Sequence, residues 1–195
     1  MKRLFDILFS SFVLICFLIP GLLLAIAIKW ESKGPVFFAQ KRVGRFGNAF
    51  FLLKFRSMRT DAEKSGKLTV GMHDPRITRV GYFIRKYKLD EFPQFINVLK
   101  GEMSIVGPRP EVQEYVDLYT DEQRKVLQVR PGITDYASLE YFEENELLAQ
   151  SSNPEKTYIE EIMPAKLALN KKYLSAPGIV QDLKIIGLTA LKIVQ

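Results

Sequence analysis

Cysteine and histidine are almost missing from this sequence: Cys16 and His73 are the only ones in 195 residues. A single cysteine forbids an intrachain disulfide, so nothing implies an oxidising compartment. One Cys and one His also exclude an ordinary structural zinc site. No GxxxxGK[ST] occurs and no GxGxxG follows a strand, which removes the P-loop and the dinucleotide fingerprint. There is no internal repeat and no low-complexity tract. His73 lies in a polar stretch beside Asp74-Pro75 and receives no catalytic role. Acidic residues are the minority, 22 against 28 Lys and Arg, for a net charge of +6. A cationic excess suits an anionic partner: nucleic acid, anionic lipid or a phosphorylated substrate.

What is present is an uneven distribution of apolar residues. The total, 47%, is ordinary for one globular domain with a core. However, Leu4 to Ile28 is almost all apolar, interrupted by Asp6, Ser10, Ser11, Pro20 and Gly21. Roughly 20 helical residues cross a bilayer core, so this block is long enough. It is too long for a signal peptide and carries no small-residue cleavage site before Lys29 and Trp30. Both flanks are cationic: Lys2 and Arg3 before, Lys29, Lys33, Lys41, Arg42 and Arg45 after. The positive-inside rule then places both ends in the cytoplasm, which a hairpin satisfies and a straight span does not. Pro20 favours a break in mid-segment, Gly21 loosens it, and Ser10 or Ser11 could satisfy freed backbone groups. A spanning helix with a proline kink fits the same residues, so the topology stays open on physics alone.

The remainder reads as few strands and many helices. Gly34-Pro35 ends the apolar block. Val36–Gln40 and Phe50–Phe55 read as short strands, with Gly44 and Gly47 between them. Thr60 to Asp74 is polar and reads as a surface loop. Ile77–Lys88 and Glu91–Leu99 show helical spacing, Glu111–Gln128 reads as a further helix stopped by Arg130-Pro131-Gly132, and Asn145–Tyr173 is helical with an interruption near Asn153-Pro154. Gly178–Val194 carries Ile179, Val180, Leu183, Ile186, Ala190, Leu191 and Val194 on one face. That suits a core helix or one lying in the headgroup plane. The expected fold is α+β, helix-rich with few short strands. Regular βαβ alternation is missing, which excludes a doubly wound nucleotide fold.

The chemistry-bearing residues are basic and carboxylate. Lys29 to Arg59 holds many cations and one acid, Glu31, and Arg76, Arg79, Arg85, Lys86 and Lys88 add a second cluster. Cations interleaved with glycine and aromatics, as in Lys41-Arg42-Val43-Gly44-Arg45-Phe46-Gly47, let backbone and guanidinium approach a phosphate. In this setting lies Asp90-Glu91. One carboxylate can attack phosphorus while the other helps hold a divalent ion, and nearby arginines keep both ionised. The same pair could simply cap a helix, with Pro93 close behind. Pro108-Arg109-Pro110 is a rigid turn presenting one arginine, either as a stiff connector or as a binding group.

These pieces together resemble a known family, the small monotopic phosphoglycosyl transferases. The matching stretches are Gly34 to Gly44, Lys54-Phe55-Arg56-Ser57-Met58, Arg76 to Gly81, Leu89-Asp90-Glu91-Phe92-Pro93-Gln94, Asn97 to Ser104, Val106 to Glu111 and Arg130-Pro131-Gly132-Ile133-Thr134. They cover nearly the whole chain in the right order. The resemblance implies phosphosugar transfer from a UDP-sugar to polyprenyl (undecaprenyl) phosphate at the bacterial inner membrane, on the cytoplasmic face, initiating glycan assembly. It implies Asp90 as nucleophile, UMP as leaving group and a covalent aspartyl-phosphosugar. Glu91 would assist with Mg2+, which Asp90 and Glu91 would hold, and with proton handling. Arg85 and Arg109 resemble phosphate and nucleotide contacts, with Lys54 and Arg56 as further anion contacts. Residues 1–34 would be a re-entrant membrane helix broken near Pro20, where Ile19 replaces the family's usual serine. Residues 35–195 would be the cytoplasmic catalytic domain, its last helix, about 178–195, amphipathic at the lipid surface. A homodimer is left open.

One stretch departs from the family. Many members continue past Pro-Gly-Ile-Thr with Gly-Trp-Ala-Gln-Val-Asn-Gly-Arg, whereas this chain has Asp135-Tyr136-Ala137-Ser138-Leu139-Glu140. The arginine of that pattern has no assigned counterpart. Two other function classes compete. A non-catalytic membrane adaptor binding anionic lipid through its basic face explains the apolar block and the charge, but not the ordered motif set. A nucleic-acid binder is permitted by charge alone, yet the apolar block opposes it and no binding motif supports it, so nucleic acid is not an expected partner.

Overall fold

A computed structural model of the chain describes residues 1–60, 71, 74–175 and 177–194. Most of the polar stretch expected as a surface loop between Thr60 and Asp74, His73 included, lies outside the described residues. Two helices open the chain, α1 (Lys2–Cys16) and α2 (Leu18–Glu31), with a bend of 60° between them. The break falls at Phe17, just ahead of Pro20. A continuous helix would bring the Pro20 ring against the Cys16 carbonyl, and proline has no N–H to offer it. The expected role of serine at the break is not seen, since Ser10 Oγ is buried without a partner. Among the described residues no single helix is long and apolar enough to cross a membrane, although the bent pair passes that test together.

The pair is fastened to the rest of the chain at both ends and at the bend. Arg3 donates to the Val98 and Leu99 carbonyls, and Lys2 pairs with Asp182 at 2.5 Å. Asp6 is buried, accepting from the Ser104 hydroxyl at 2.9 Å and the Ile105 N–H at 3.2 Å. Phe17 stacks on Phe92 with ring centroids 3.9 Å apart. The opposite face of the pair, from Leu4, Leu8 and Phe12 through Leu18, Leu22 and Leu23, is exposed. An apolar surface of this extent marks a face that meets another phase or partner.

Two strands follow, β1 (Phe37–Val43) and β2 (Ala49–Phe55), paired antiparallel from Phe37↔Phe55 to Val43↔Ala49. At the tip, Phe46 and Gly47 take left-handed conformations, φ 58° and 79°, which close the hairpin in few residues. Helices α3 (Arg79–Lys86) and α4 (Gln94–Lys100) come next, close to the spans predicted. Strand β3 (Ser104–Val106) then pairs in parallel with β4 (Gly132–Thr134). Neither was predicted, because three-residue strands carry no readable alternation.

The single helix expected over Glu111–Gln128 is not formed. A one-turn helix, α5 (Gln113–Val116), and a 3-10 stretch at Gln123–Gln128 replace it. The reason is a capping box: the Gln123 side chain accepts from the Thr120 N–H at 2.8 Å, and the Thr120 hydroxyl accepts from the Gln123 N–H at 3.3 Å. That reciprocal pair restarts the chain in mid-span.

The C-terminal part is helical: α6 (Tyr136–Glu140), α7 (Glu144–Ala149), α8 (Pro154–Thr157), a π-turn at Tyr158–Ile162, α9 (Met163–Ser175) and α10 (Ile179–Val194). One core cluster joins α9 through Met163 and Leu167 to Val116, Tyr119, Val126 and Leu148. A second joins Phe50 and Leu52 of β2 to Val98, Ile105, Val106 and Ile185 of α10. A third is small, Ile28 of α2 against Phe55 and Ile84. Helix α10 serves the core through Ile185 and buries Asp182, while Val180, Leu183 and Leu191 remain exposed. The chain is thus α+β and helix-rich, with two separate two-stranded sheets among the described residues.

Candidate active site

The Asp90-Glu91 pair lies in a short 3-10 turn, Leu89–Glu91, between α3 and α4. Lys88, the residue that leads into this 3-10 turn, lies in the left-handed region at φ 54°, a conformation costly for a residue with a Cβ and concentrated at functional sites. That turn swings both carboxylates toward a cavity of about 670 Å³. Asp90 is 4% exposed and caps no helix: neither the 3-10 turn nor α4 has a side-chain cap. The helix-capping reading of the pair is therefore not what the fold uses.

The motif residues converge on this cavity from distant parts of the chain. Lys54 arrives from β2, Arg85 from α3 and Arg109 from the Pro-Arg-Pro turn, and all three line it with the two carboxylates. That turn is fixed by the second sheet. Gly107 N–H donates to the Thr134 carbonyl at 3.1 Å, Gly132 N–H to the Pro108 carbonyl at 2.9 Å, and Arg109 N–H to Asp135 at 3.1 Å. Gly107 and Gly132 approach so closely that a Cβ on Gly132 would lie 2.1 Å from the Gly107 nitrogen. Only glycine fits the crossing.

Glu91 is enclosed by cations. Arg109 donates to both of its carboxylate oxygens, and Lys54 Nζ donates to it at 3.2 Å. Burial alone would raise its pKa, but the Arg109 and Lys54 charges and the Arg109 hydrogen bonds hold the carboxyl well below its ordinary range. The Lys54 pKa is lowered as well, but by burial, with the Glu91 charge opposing and Arg109 adding to the fall. Asp90 differs from its neighbour. Burial raises its pKa, the Lys54 charge opposes this and the Glu91 charge adds to it. Among the described residues no hydrogen bond or ion pair holds the Asp90 carboxylate. The pair thus divides into an anchored glutamate and an unattached aspartate.

Arg56 lines the cavity too, but its donors face away from it. They bind the carbonyls of Lys33 at 2.7 Å, Ser32 at 2.7 Å and Ile28 at 3.3 Å, closing the C-terminus of α2. Pro20 lies on the bent helix pair and does not line the cavity. Arg85 keeps a buried Nε without a partner. Four contributors had no site role in the sequence reading: Lys88, read only as part of a basic cluster, Asp135, Lys166 and Glu144. Lys88 lines the cavity while lying over the Phe142 ring, 4.8 Å from its centroid. Asp135, fully buried, caps α6 by accepting from the Ser138 N–H at 2.6 Å and also holds the Arg109 backbone. Lys166 enters from α9, paired with Glu144 at 2.5 Å. Only Asp135 had a local signal, as a helix N-cap.

The residues available to hold a cation are the two carboxylates. Among the described residues no group of three or more His, Cys, Asp or Glu is placed to hold a metal. Mg2+ commonly takes one or two carboxylates and completes its shell with water and substrate phosphate. An unattached buried carboxylate beside Arg85, Lys88 and Arg109 fits that mode, and the cations fit the phosphates.

The chain is 41% identical over 139 residues to the sugar transferase EpsL of Bacillus subtilis (strain 168), covering 71% of this chain and 68% of that one. It is 45% identical over 143 residues to the UDP-N-acetylgalactosamine-undecaprenyl-phosphate N-acetylgalactosaminephosphotransferase of Aeromonas hydrophila, covering 71% and 33%. It is 38% identical over 198 residues to the UDP-glucose:undecaprenyl-phosphate glucose-1-phosphate transferase of Klebsiella pneumoniae, covering 98% and 39%. The chain therefore spans only about a third to two fifths of the two longer relatives. The family model described as bacterial sugar transferase matches residues 1–195, and this chain belongs to that family.

Proposed function

We propose that the protein is a phosphoglycosyl transferase that moves a phosphosugar from a UDP-sugar to polyprenyl phosphate. The observation that carries this reading is the Asp90 carboxylate: buried, without a hydrogen bond among the described residues, and lining one cavity with Lys54, Arg85, Lys88 and Arg109. A carboxylate left unattached among cations is placed to attack an electrophile that brings its own negative charge. The relatives' names, which specify undecaprenyl-phosphate sugar-phosphate transferases, support the same donor and acceptor here.

In the first step an Asp90 oxygen attacks the sugar-bearing phosphorus. A carboxylate–phosphorus bond forms, the bond from that phosphorus to the bridging oxygen breaks, and UMP departs with the bridging oxygen. In the second step an oxygen of polyprenyl phosphate attacks the same phosphorus and the Asp90 carboxylate is released. Arg85 and Arg109 stabilise charge developing on the phosphoryl oxygens. Glu91 keeps Arg109 and Lys54 in place, and Lys54 keeps a donor near the attacked centre. Mg2+, held by Asp90 with help from Glu91, would screen phosphate charge and polarise the phosphoryl group.

A lipid acceptor needs an enzyme that works at the lipid surface. The bent pair α1–α2 supports a re-entrant placement: both ends are fastened to one body and the outer face is exposed and apolar. Exposed Val180, Leu183 and Leu191 on α10 support an interfacial position for that helix. The cationic flanks support a body on the cytoplasmic face of the bacterial inner membrane. The test is UMP release by nanodisc-embedded protein given undecaprenyl phosphate, Mg2+ and a panel of UDP-sugars. Asp90→Asn abolishes lipid-dependent UMP release while leaving the protein folded and membrane-bound. Normal turnover by that variant removes the nucleophile assignment. Binding to anionic vesicles with no turnover by the wild type favours a lipid-binding adaptor.

A further inference from the structure

The cavity that holds Asp90 continues past the phosphate-binding cations to a wall made by α6 and α9, and that wall carries polar groups the proposed phosphoryl steps do not use. Five residues among those described have a buried side-chain nitrogen or oxygen without a hydrogen-bond partner. Three of them, Arg85, Ser138 and Asn170, line this one cavity. Buried polar groups are nearly always paired, so their concentration at one site points to a ligand.

Asn170 is the most telling of the three. The buried face of α9 runs Met163, Leu167, Asn170, Tyr173, and the asparagine interrupts an otherwise apolar or aromatic stripe. It is 4% exposed, its Oδ1 is buried without a partner, and among the described residues no hydrogen bond holds either end of the amide. Leucine would fill such a position without leaving an amide unpaired. Ser138 lies in the first turn of α6, whose cap Asp135 also holds the Arg109 backbone, so it is tied to the phosphate end by one shared carboxylate. Lys166 and Glu144 line the same cavity as an ion pair. Nearby, the π-turn directs Tyr158 to Glu111, a geometry common at functional sites.

We propose that Asn170 and Ser138 form the sugar-recognition wall of this cavity, pairing their free polar atoms with hydroxyl or amide groups of the donor's hexose and so setting which UDP-sugar is used. The inference rests on the transferase reading of the site. A carbohydrate is the chemistry that fits: neutral, rich in donors and acceptors, and attached to the phosphorus that Asp90 attacks. A second phosphate would call for unpaired cations at this wall, whereas Lys166 is already neutralised by Glu144.

The test compares wild type with Asn170→Leu and Ser138→Ala in the nanodisc UMP-release assay, across UDP-hexoses and UDP-N-acetylhexosamines. Thermal unfolding and inhibition by UMP are measured alongside. Asn170→Leu retains or raises the melting temperature and keeps wild-type inhibition by UMP. Its kcat/KM for the preferred donor falls about ten- to a hundred-fold, the scale of one buried hydrogen-bonded contact. The preference among sugars narrows with it. On wild type, a deoxy donor lacking the contacted hydroxyl loses as much as the variant loses with the parent donor. An active wild type and an Asn170→Leu variant with unchanged sugar preference overturn this inference alone. If Asn170→Leu fails to fold, Ser138→Ala and the deoxy donors decide by the same criterion. No turnover by wild type with any UDP-sugar overturns the transferase reading, and this inference falls with it.

Discussion

Replacing Glu91 by glutamine removes one negative charge from between two cations and changes little in shape. In the folded protein Glu91 accepts from both terminal guanidinium nitrogens of Arg109 and from Lys54 at 3.2 Å. The three side chains are 15–29% exposed, so water screens the cluster only in part. Removing one partner of a buried ion pair costs about 3–5 kcal/mol, because the partner left behind stays buried and unpaired. The partial exposure here places the expectation at the lower end, about 3 kcal/mol. In a chain of this size each kcal/mol is worth about 2–4 °C, so Glu91→Gln melts about 6–12 °C below wild type. The assay is thermal unfolding in nanodiscs at neutral pH with a chelator present. The pH dependence has a definite sign. A carboxyl held below its ordinary value of 4.5 contributes stability that is full above that value and is lost as pH falls through the depressed folded-state value. The gap between wild type and variant therefore closes on the acid side, below about pH 4.5, and not on the alkaline side. Adding Lys54→Met to Glu91→Gln removes a stranded cation and restores part of the loss. A single variant melting within about 2 °C of wild type at neutral pH would refute the view that Glu91 neutralises this cluster.

Two further outcomes are expected. Chelation of divalent ions stops UMP release and added Mg2+ restores it; turnover undiminished in excess chelator removes Mg2+ from the mechanism. In sealed vesicles, Lys2→Cys and Lys33→Cys, each in a Cys16→Ser background, react with an impermeant maleimide from the same side. Labelling from opposite sides makes α1–α2 a spanning segment and ends the re-entrant reading.

Much of this protein was legible because local rules dominate locally. The β1–β2 hairpin followed from apolar runs separated by Gly44 and Gly47, and α3, α9 and α10 followed from helical periodicity. The break in the apolar block followed from Pro20, although the bend falls at Phe17, where the missing N–H and the ring act on the preceding turn. The helix expected over Glu111–Gln128 does not form because the Thr120–Gln123 capping box outweighs the apolar periodicity around it. Asp6 read as an interruption in an apolar block, yet it is a buried acceptor for Ser104 and Ile105.

By itself the sequence determined the residue types of the site: a carboxylate pair, a rigid Pro-Arg-Pro turn and an excess of cations, in an order shared with a family. Residue chemistry alone did not divide the roles within the pair, since Asp90 and Glu91 are adjacent and chemically alike; the division came from the family resemblance. What only the tertiary structure decided is their surroundings: it brings Lys54 from β2 and Arg109 from the far side of β3 onto Glu91 and leaves Asp90 unattached among the described residues. It also turned Arg56 onto the carbonyls of α2 and placed Asn170 and Ser138 on the wall of the cavity. The physical reason is the same in each case. Spacing along a chain fixes which face of an element a residue occupies, while charge pairing and burial depend on what other segments bring to that face.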